Sequence, residues 1–256
     1  MVTKAQNIGI HRKIIQNDDA VHRPTHYWAP AVHGLLEYLN SVDFKSVPQV
    51  LGVDEQGREI LSYIEGESGP AGWSKITTDE GLAKFAKYLR KYHDAVRNYK
   101  PPAGSKWAYG HDRLEPGEII CHGDFGPWNI VWDGNDPVGI IDWDMARPAK
   151  PEFDILYALE FATPFRNDKA AIEWHHFTEV PDRKHRIAVF LKAYGTDSIP
   201  NITKRVANVV RKVNAGARTI ASQGIEPQAT WLKDGTLDGF ENLAKWIENN
   251  KQLFEN

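Results

Sequence analysis

The chain has 256 residues and a mass of 29.0 kDa, enough for one large domain or two lobes around a sizeable core. Its composition is ordinary, with 41% hydrophobic and 25% charged residues, and this excludes collagen, low-complexity linker and wholesale disorder. A formal charge of -3 provides no footprint for general nucleic-acid binding, and the lone Cys121 cannot close an intrachain disulfide, which points to a reducing, cytoplasmic setting. No stretch reaches the roughly 18 apolar residues of a membrane helix. The start, MVTKAQNIGIHRK, lacks a signal-peptide pattern.

Ile8-Gly9-Ile10 and Ile14-Ile15, then the turn residues Asn17-Asp18-Asp19, then Ala20-Val21-His22-Arg23 predict a hairpin. Pro30 opens a helix whose apolar stripe is Ala31, Val32, Leu35, Leu36 and Leu39. Val47 to Val53 and Glu59 to Ile64 predict two further strands around the turn Asp54 to Gly57. Residues 65–72 (EGESGPAG) have the texture of a hinge. Past it, Thr78-Asp79 caps a helix with Leu82, Phe85, Ala86, Leu89, His93 and Val96 on one face. Short apolar runs at 119–121, 130–132 and 138–141 predict strands, and helices are expected at 152–162, 184–195, 201–223 and 236–254. The order predicts an α+β class: a small strand-rich N-terminal lobe over 1–67 and a larger helical lobe over 68–256.

Residues 121–144 read CHGDFGPWNIVWDGNDPVGIIDWD. A tight turn at Asp133 to Pro137 places Asn129 at the start of one strand and Asp142 just past the end of the next, both at one end of a hairpin. An amide oxygen and a carboxylate are hard ligands suited to Mg²⁺. Asp124, in the loop before them, is free to accept a proton.

His122-Gly123-Asp124 followed by Asn129 resembles the H-x-D-x-x-x-x-N catalytic loop of the aminoglycoside phosphotransferase and choline kinase families, relatives of the protein kinases. Ile141-Asp142-Trp143-Asp144, Asp154-Ile155-Leu156-Tyr157 and Leu89 to Ala95 are similar to segments flanking that loop. The resemblance implies a bilobal protein-kinase-like fold and transfer of the γ-phosphoryl of ATP, with GTP as an alternative, to a hydroxyl of an aminoglycoside-like or other small metabolite. It implies Asp124 as base, Asn129 and Asp142 as Mg²⁺ ligands, and His122 as a structural ring holding the loop. Lining up the third strand puts His22 in the position of the phosphate-binding cation, with Arg23 beside it. Leu61 to Glu67 is similar to the interlobe hinge, so Tyr63 and Ile64 are expected at the nucleotide base. Only Gly9 is available for a glycine-rich loop. The helix glutamate that pairs with the strand cation is absent, since no acidic residue lies between Pro24 and Leu36. That absence supports an alternative reading, a catalytically impaired kinase-like binding protein; a metal-dependent hydrolase is a third.

Elsewhere, Lys204, Arg205, Arg211, Lys212 and Arg218 are expected on a solvated helix face. His175-His176 beside Trp174 is expected at the surface or in a substrate pocket. Trp231 and Trp246 are expected in the core, with an acceptor pocket as the alternative.

Overall fold

A computed structural model describes residues 6–7, 14–17 and 19–255, with the side chains of 6–7 left aside. Strands β1 (Gln6–Asn7), β2 (Ile15–Asn17), β3 (Ala20–Pro24), β4 (Val50–Val53) and β5 (Arg58–Ser62) form an antiparallel sheet in the order β1-β2-β3-β5-β4. The expected hairpin is β2–β3, with Asn17 opposite Ala20, and β1 pairs back onto β2 at Gln6 and Gln16. Gly9 and its flanking isoleucines fall outside the described residues. Helix α1 (Ala29–Ser41) carries Pro30 in its first turn, where the missing N–H costs nothing. Its Leu35, Leu36 and Leu39 are fully buried.

The rest is mainly helical: α2 (Gly72–Lys75), α3 (Asp79–Val96), α4 (Glu152–Ala162), α5 (Asp168–Glu173), α6 (Arg183–Tyr194), α7 (Ile202–Ser222), α8 (Gln228–Lys233) and α9 (Thr236–Asn249). Thr78 caps α3 by accepting from the Gly81 N–H at 3.1 Å, and Asp79 and Glu80 complement its dipole. Asp182 caps α6 in the same way, and Gly195 closes it in the left-handed conformation. The last helix stops at Asn249, short of the expected 254, and gives way to a turn of 3₁₀ helix. The short α2, α5 and α8 have too few turns to show a periodic stripe, and the sequence reading misses them.

Two small ladders hold the chemistry-bearing segment. β7 (Ile130–Asp133) and β8 (Asp136–Ile140) form the predicted hairpin, closing on Asp133 opposite Asp136. β6 (Ile119–Cys121) instead pairs with β9 (Arg147–Ala149), a partner too short to be legible beforehand. Glu67 exchanges two 2.8 Å backbone hydrogen bonds with Trp132, tying the segment after the sheet to β7. Among the described residues the main buried apolar cluster runs from Trp28 to Phe254, with a small second one at Ala217, Ala221 and Leu237.

At its centre lies Asp154, fully buried near the start of α4. Its carboxylate accepts from the backbone N–H groups of His122 (2.7 Å) and Gly123 (2.9 Å) and from His93 Nε2 on α3 (3.2 Å). His93 Nδ1 accepts in turn from the Tyr194 hydroxyl on α6 at 2.8 Å. Burial alone would raise this carboxyl; the hydrogen bonds and His93 outweigh it and hold the pKa below the ordinary value. Cys121 lies beside this group as core, its thiol directed at the Lys150 carbonyl and pushed well up by burial. Asp154→Ala leaves three buried donors, on the loop after β6 and on α3, unsatisfied and is expected to cost about 3–5 kcal/mol. Urea unfolding measures this; a loss under about 1 kcal/mol would show that the carboxylate does not anchor the loop.

Candidate active site

His122 closes the loop below Asp124. Its buried ring donates through Nε2 to the Ile141 carbonyl (3.1 Å) and accepts at Nδ1 from the Asp124 N–H (3.2 Å). Burial lowers its pKa and keeps it neutral, so it acts as a structural ring, as expected. Gly123 must be glycine: at φ +81° a Cβ would lie 2.0 Å from the Met145 carbonyl oxygen.

Asp124 accepts from Asn129 Nδ2 at 2.8 Å and from the Tyr157 hydroxyl. Asn129 Nδ2 also donates to the Asp124 carbonyl, which leaves Asn129 Oδ1 as the oxygen available to a cation. The hairpin register sets Asn129 beside residue 141, whose N–H donates to the Asn129 carbonyl at 2.9 Å. Asp142 follows in the left-handed conformation, φ 59°, a strained state for a non-glycine residue. Its side chain is 47% exposed, whereas Asp144 is buried. Asp144 accepts from Trp28 Nε1 at 3.0 Å.

On the third strand Arg23, and not the expected His22, faces the cavity that holds Asp124. Alternate residues of a strand face opposite sides, and His22 turns away to pair with Asp54 (Nδ1 to Oδ2, 2.9 Å). Arg23 turns inward, buried, donating to Glu59 (Nε, 2.6 Å), Asp144 (Nη2, 2.7 Å) and, at 3.4 Å, Asp142 (Nη1). Burial opposes the charge, but the three carboxylates raise its pKa overall. Glu59 also accepts from His33 Nε2 on α1 at 2.6 Å. Burial would raise Glu59, while His33 and Arg23 bring it below the ordinary range. The acid absent from the helix is thus replaced from β5, and the helix contributes His33 as its second partner. Arg23 and Glu59 are direct cross-strand neighbours, so strand register alone carries the signal for this pairing.

Tyr63 and Ile64, expected in the strand and at the nucleotide base, lie just past the end of β5 and outside the cavity that holds Asp124. The Tyr63 N–H is taken by the Asp19 carbonyl at 2.7 Å, and Ile64 packs against Gly139. That cavity encloses about 670 Å³ and brings Arg23, Asp124, Asn129, Asp142 and Asp144 onto one wall. Trp231 lines it too, so the pocket alternative holds for that residue, while Trp246 packs on Phe254. His175 is buried against the Phe161 carbonyl, and Trp174 lines the cavity. Of the basic residues on α7, Arg205, Arg211 and Arg218 are ion-paired to Glu152, Glu241 with Glu248, and Asp238, a solvated face as expected.

Arg23 faces three carboxylates and leaves a formal surplus of two negative charges at this wall. Asp124 responds to it: burial first, then the Asp142 charge, raises its pKa to about 7. With a folded value above the unfolded one, folding loses stability as pH rises from about 4 to 7, and the penalty is constant beyond. Asp124→Asn is therefore expected to unfold later than the parent at pH 8, by on the order of 2 kcal/mol, and to match it near pH 4. Denaturant titrations at both pH values check this, and equal stability at pH 8 would contradict the shift.

Residues 103–186 match the model of the phosphotransferase enzyme family. Over 254 residues the chain is 35% identical to the trifolitoxin immunity protein of Rhizobium leguminosarum bv. trifolii, covering 94% of this chain and 93% of that protein. Its fold is shared with a GDP complex of an aminoglycoside 2′-phosphotransferase-IIIa mutant (TM-score 0.60, 14% identity, 98% of this chain and 93% of that one). It is shared also with an amicoumacin kinase in complex with AMP-PNP, Ca²⁺ and Ami (TM-score 0.59, 12% identity, 98% of this chain and 89% of that one). Among the described residues no helix is long and apolar enough to cross a membrane. The chain belongs to the phosphotransferase enzyme family, a group of small-molecule phosphotransferases with hydroxyl acceptors.

Proposed function

We propose that this chain is a kinase of a toxic small molecule, moving the γ-phosphoryl of ATP or GTP onto a hydroxyl and thereby conferring immunity. The observation that carries the reading is Asp124, held between Tyr157 and Asn129 in an electronegative cavity with a pKa of about 7. A carboxylate near neutral pKa is matched to general-base work at physiological pH. The immunity aspect comes from the 35% identical relative.

Asp124 orients the acceptor hydroxyl and takes its proton as the new O–P bond forms and the γ-phosphoryl leaves the β-phosphate oxygen. Tyr157 at Oδ1 and Asn129 at Oδ2 fix the carboxylate, and each oxygen keeps a further lone pair to offer the acceptor. Arg23 is locked through Nε by Glu59, and Nη1, which makes only the long contact to Asp142, is the atom left for a phosphate. Asn129 Oδ1 and the exposed Asp142 carboxylate are the hard oxygens that would hold Mg²⁺, and Asp144 adds charge behind them. When bound, the metal supplies neutralisation of charge on the phosphoryl oxygens. The nucleotide would enter between the sheet and the helical part, with residues 63–67 as hinge. The presence of Arg23–Glu59 supports transfer over the binding-only alternative, which depended on a missing ion pair.

Arg23→Ala is expected to weaken Mg²⁺–AMP-PNP binding at least tenfold, and His22→Ala less than twofold. Calorimetry separates them; a His22 loss as large as that of Arg23 would reverse the assignment. Asp124→Asn is expected to lower turnover by roughly 10²–10⁴ once an acceptor is in hand. Near-parental turnover would remove Asp124 from the reaction.

A further inference from the structure

Beside the carboxylates the same cavity has a different chemistry. Trp73, Trp128, Phe161, Trp174, Trp231 and Phe240 also line it, with Trp128 reaching back to Asp124. The rings are arrayed against one another: Trp73 and Trp128 have centroids 5.2 Å apart, and Trp128 meets Phe161 edge-on at 4.6 Å. Trp174, at the end of α5, is 65% exposed although it lines the cavity. An indole left in water beside a pocket gains most by covering a flat ligand.

The charges of this ring-lined part cancel. Glu160 and Arg166 are its charged side chains among the described residues, with Nη2 and Oε1 2.9 Å apart. The guanidinium also lies over Phe161 at 5.5 Å and Trp174 at 5.6 Å. The acidic surplus of the cavity lies with Asp124, Asp142 and Asp144, and the ring-lined part offers a ligand no net charge. Polar atoms are left open here: Arg166 Nε and Glu160 Oε1 have no hydrogen-bond partner beyond their ion pair, and Gln228 adds a neutral acceptor. Gln228, at the start of α8, lines the cavity and is 7% exposed, and its Oε1 has no hydrogen-bond partner. An unmet buried acceptor costs about 1–3 kcal/mol, which a donor on the ligand recovers.

We propose that the acceptor is an uncharged, ring-bearing hydroxyl compound with an N–H or O–H donor for Gln228, stacked against the tryptophans. That this ligand is the phosphoryl acceptor rests on the phosphotransferase reading above; its chemical class rests on these rings and Gln228 alone. Apolar walls with a few convergent polar groups select by fit and by unmet hydrogen bonds.

Calorimetry on the full chain without nucleotide tests it, with N-acetyl-L-tryptophanol and N-benzoyl-L-serinamide as neutral ring-bearing probes and sorbitol as a neutral polyol without a ring. The ring-bearing probes are expected to bind at least tenfold more tightly than sorbitol. Trp174→Ala should weaken them about fivefold, with Trp174→Phe restoring most of the loss, and Gln228→Leu should weaken them about tenfold. Equal or tighter binding of sorbitol, binding of neither ring-bearing probe, or indifference to both Trp174→Ala and Gln228→Leu overturns the proposal. Mg²⁺–AMP-PNP is titrated separately into the parent protein. Probe binding without nucleotide binding removes the kinase reading and keeps the ligand class; nucleotide binding with neither probe bound does the opposite.

Discussion

Too many carboxylates share one small space. Glu59, Asp142 and Asp144 converge on the single guanidinium of Arg23, and Asp124 stands nearby with its ionisation suppressed by burial and by Asp142. Like charges held this close in a poorly solvated cavity cannot all be ionised at no cost. Each feature of the site responds to that constraint. Arg23 is held in place from three sides, Asp142 stays exposed toward the cavity, and Asp124 is kept near the protonation boundary.

Such an arrangement is tolerable only on a rigid frame. Asp154 supplies it by gripping the two backbone amides before Asp124 and joining them through His93 to Tyr194. The β7–β8 hairpin supplies the second fixed point, setting Asn129 against residues 141 and 142. Stability is thus stored in the uncharged or well-paired groups behind the loop and given up at the loop's face. That division is the usual mark of a reactive site.

Much of this is legible in the residues. The hairpin length and the spacing from Asp124 to Asn129 and Asp142 place the three together because a short ladder has little freedom of register. The long helices show their periodic faces. What escapes is non-local or short. Choosing between His22 and Arg23 requires knowing which strand face is inward, and Glu59 becomes meaningful only when β5 lies beside β3. His33 reads as a gap in the helix because its partner sits 26 residues further along. Trp231 reads as core because a tryptophan lining a cavity and one filling a core have the same local sequence; α8, at six residues, offers no stripe to tell them apart.

The lining of the cavity combines two chemistries, a group of carboxylates around Arg23 and an aromatic surface whose own charges pair off. The charged wall is the part on which everything else turns, and the ionisation of Asp124 reports it directly. Carbon-detected NMR of the side-chain carboxyl of Asp124, assigned by loss of its signal in Asp124→Asn, follows that ionisation across pH in the ligand-free protein. The account predicts a midpoint near 7. A midpoint near 4, the value of an ordinary aspartate, would contradict it.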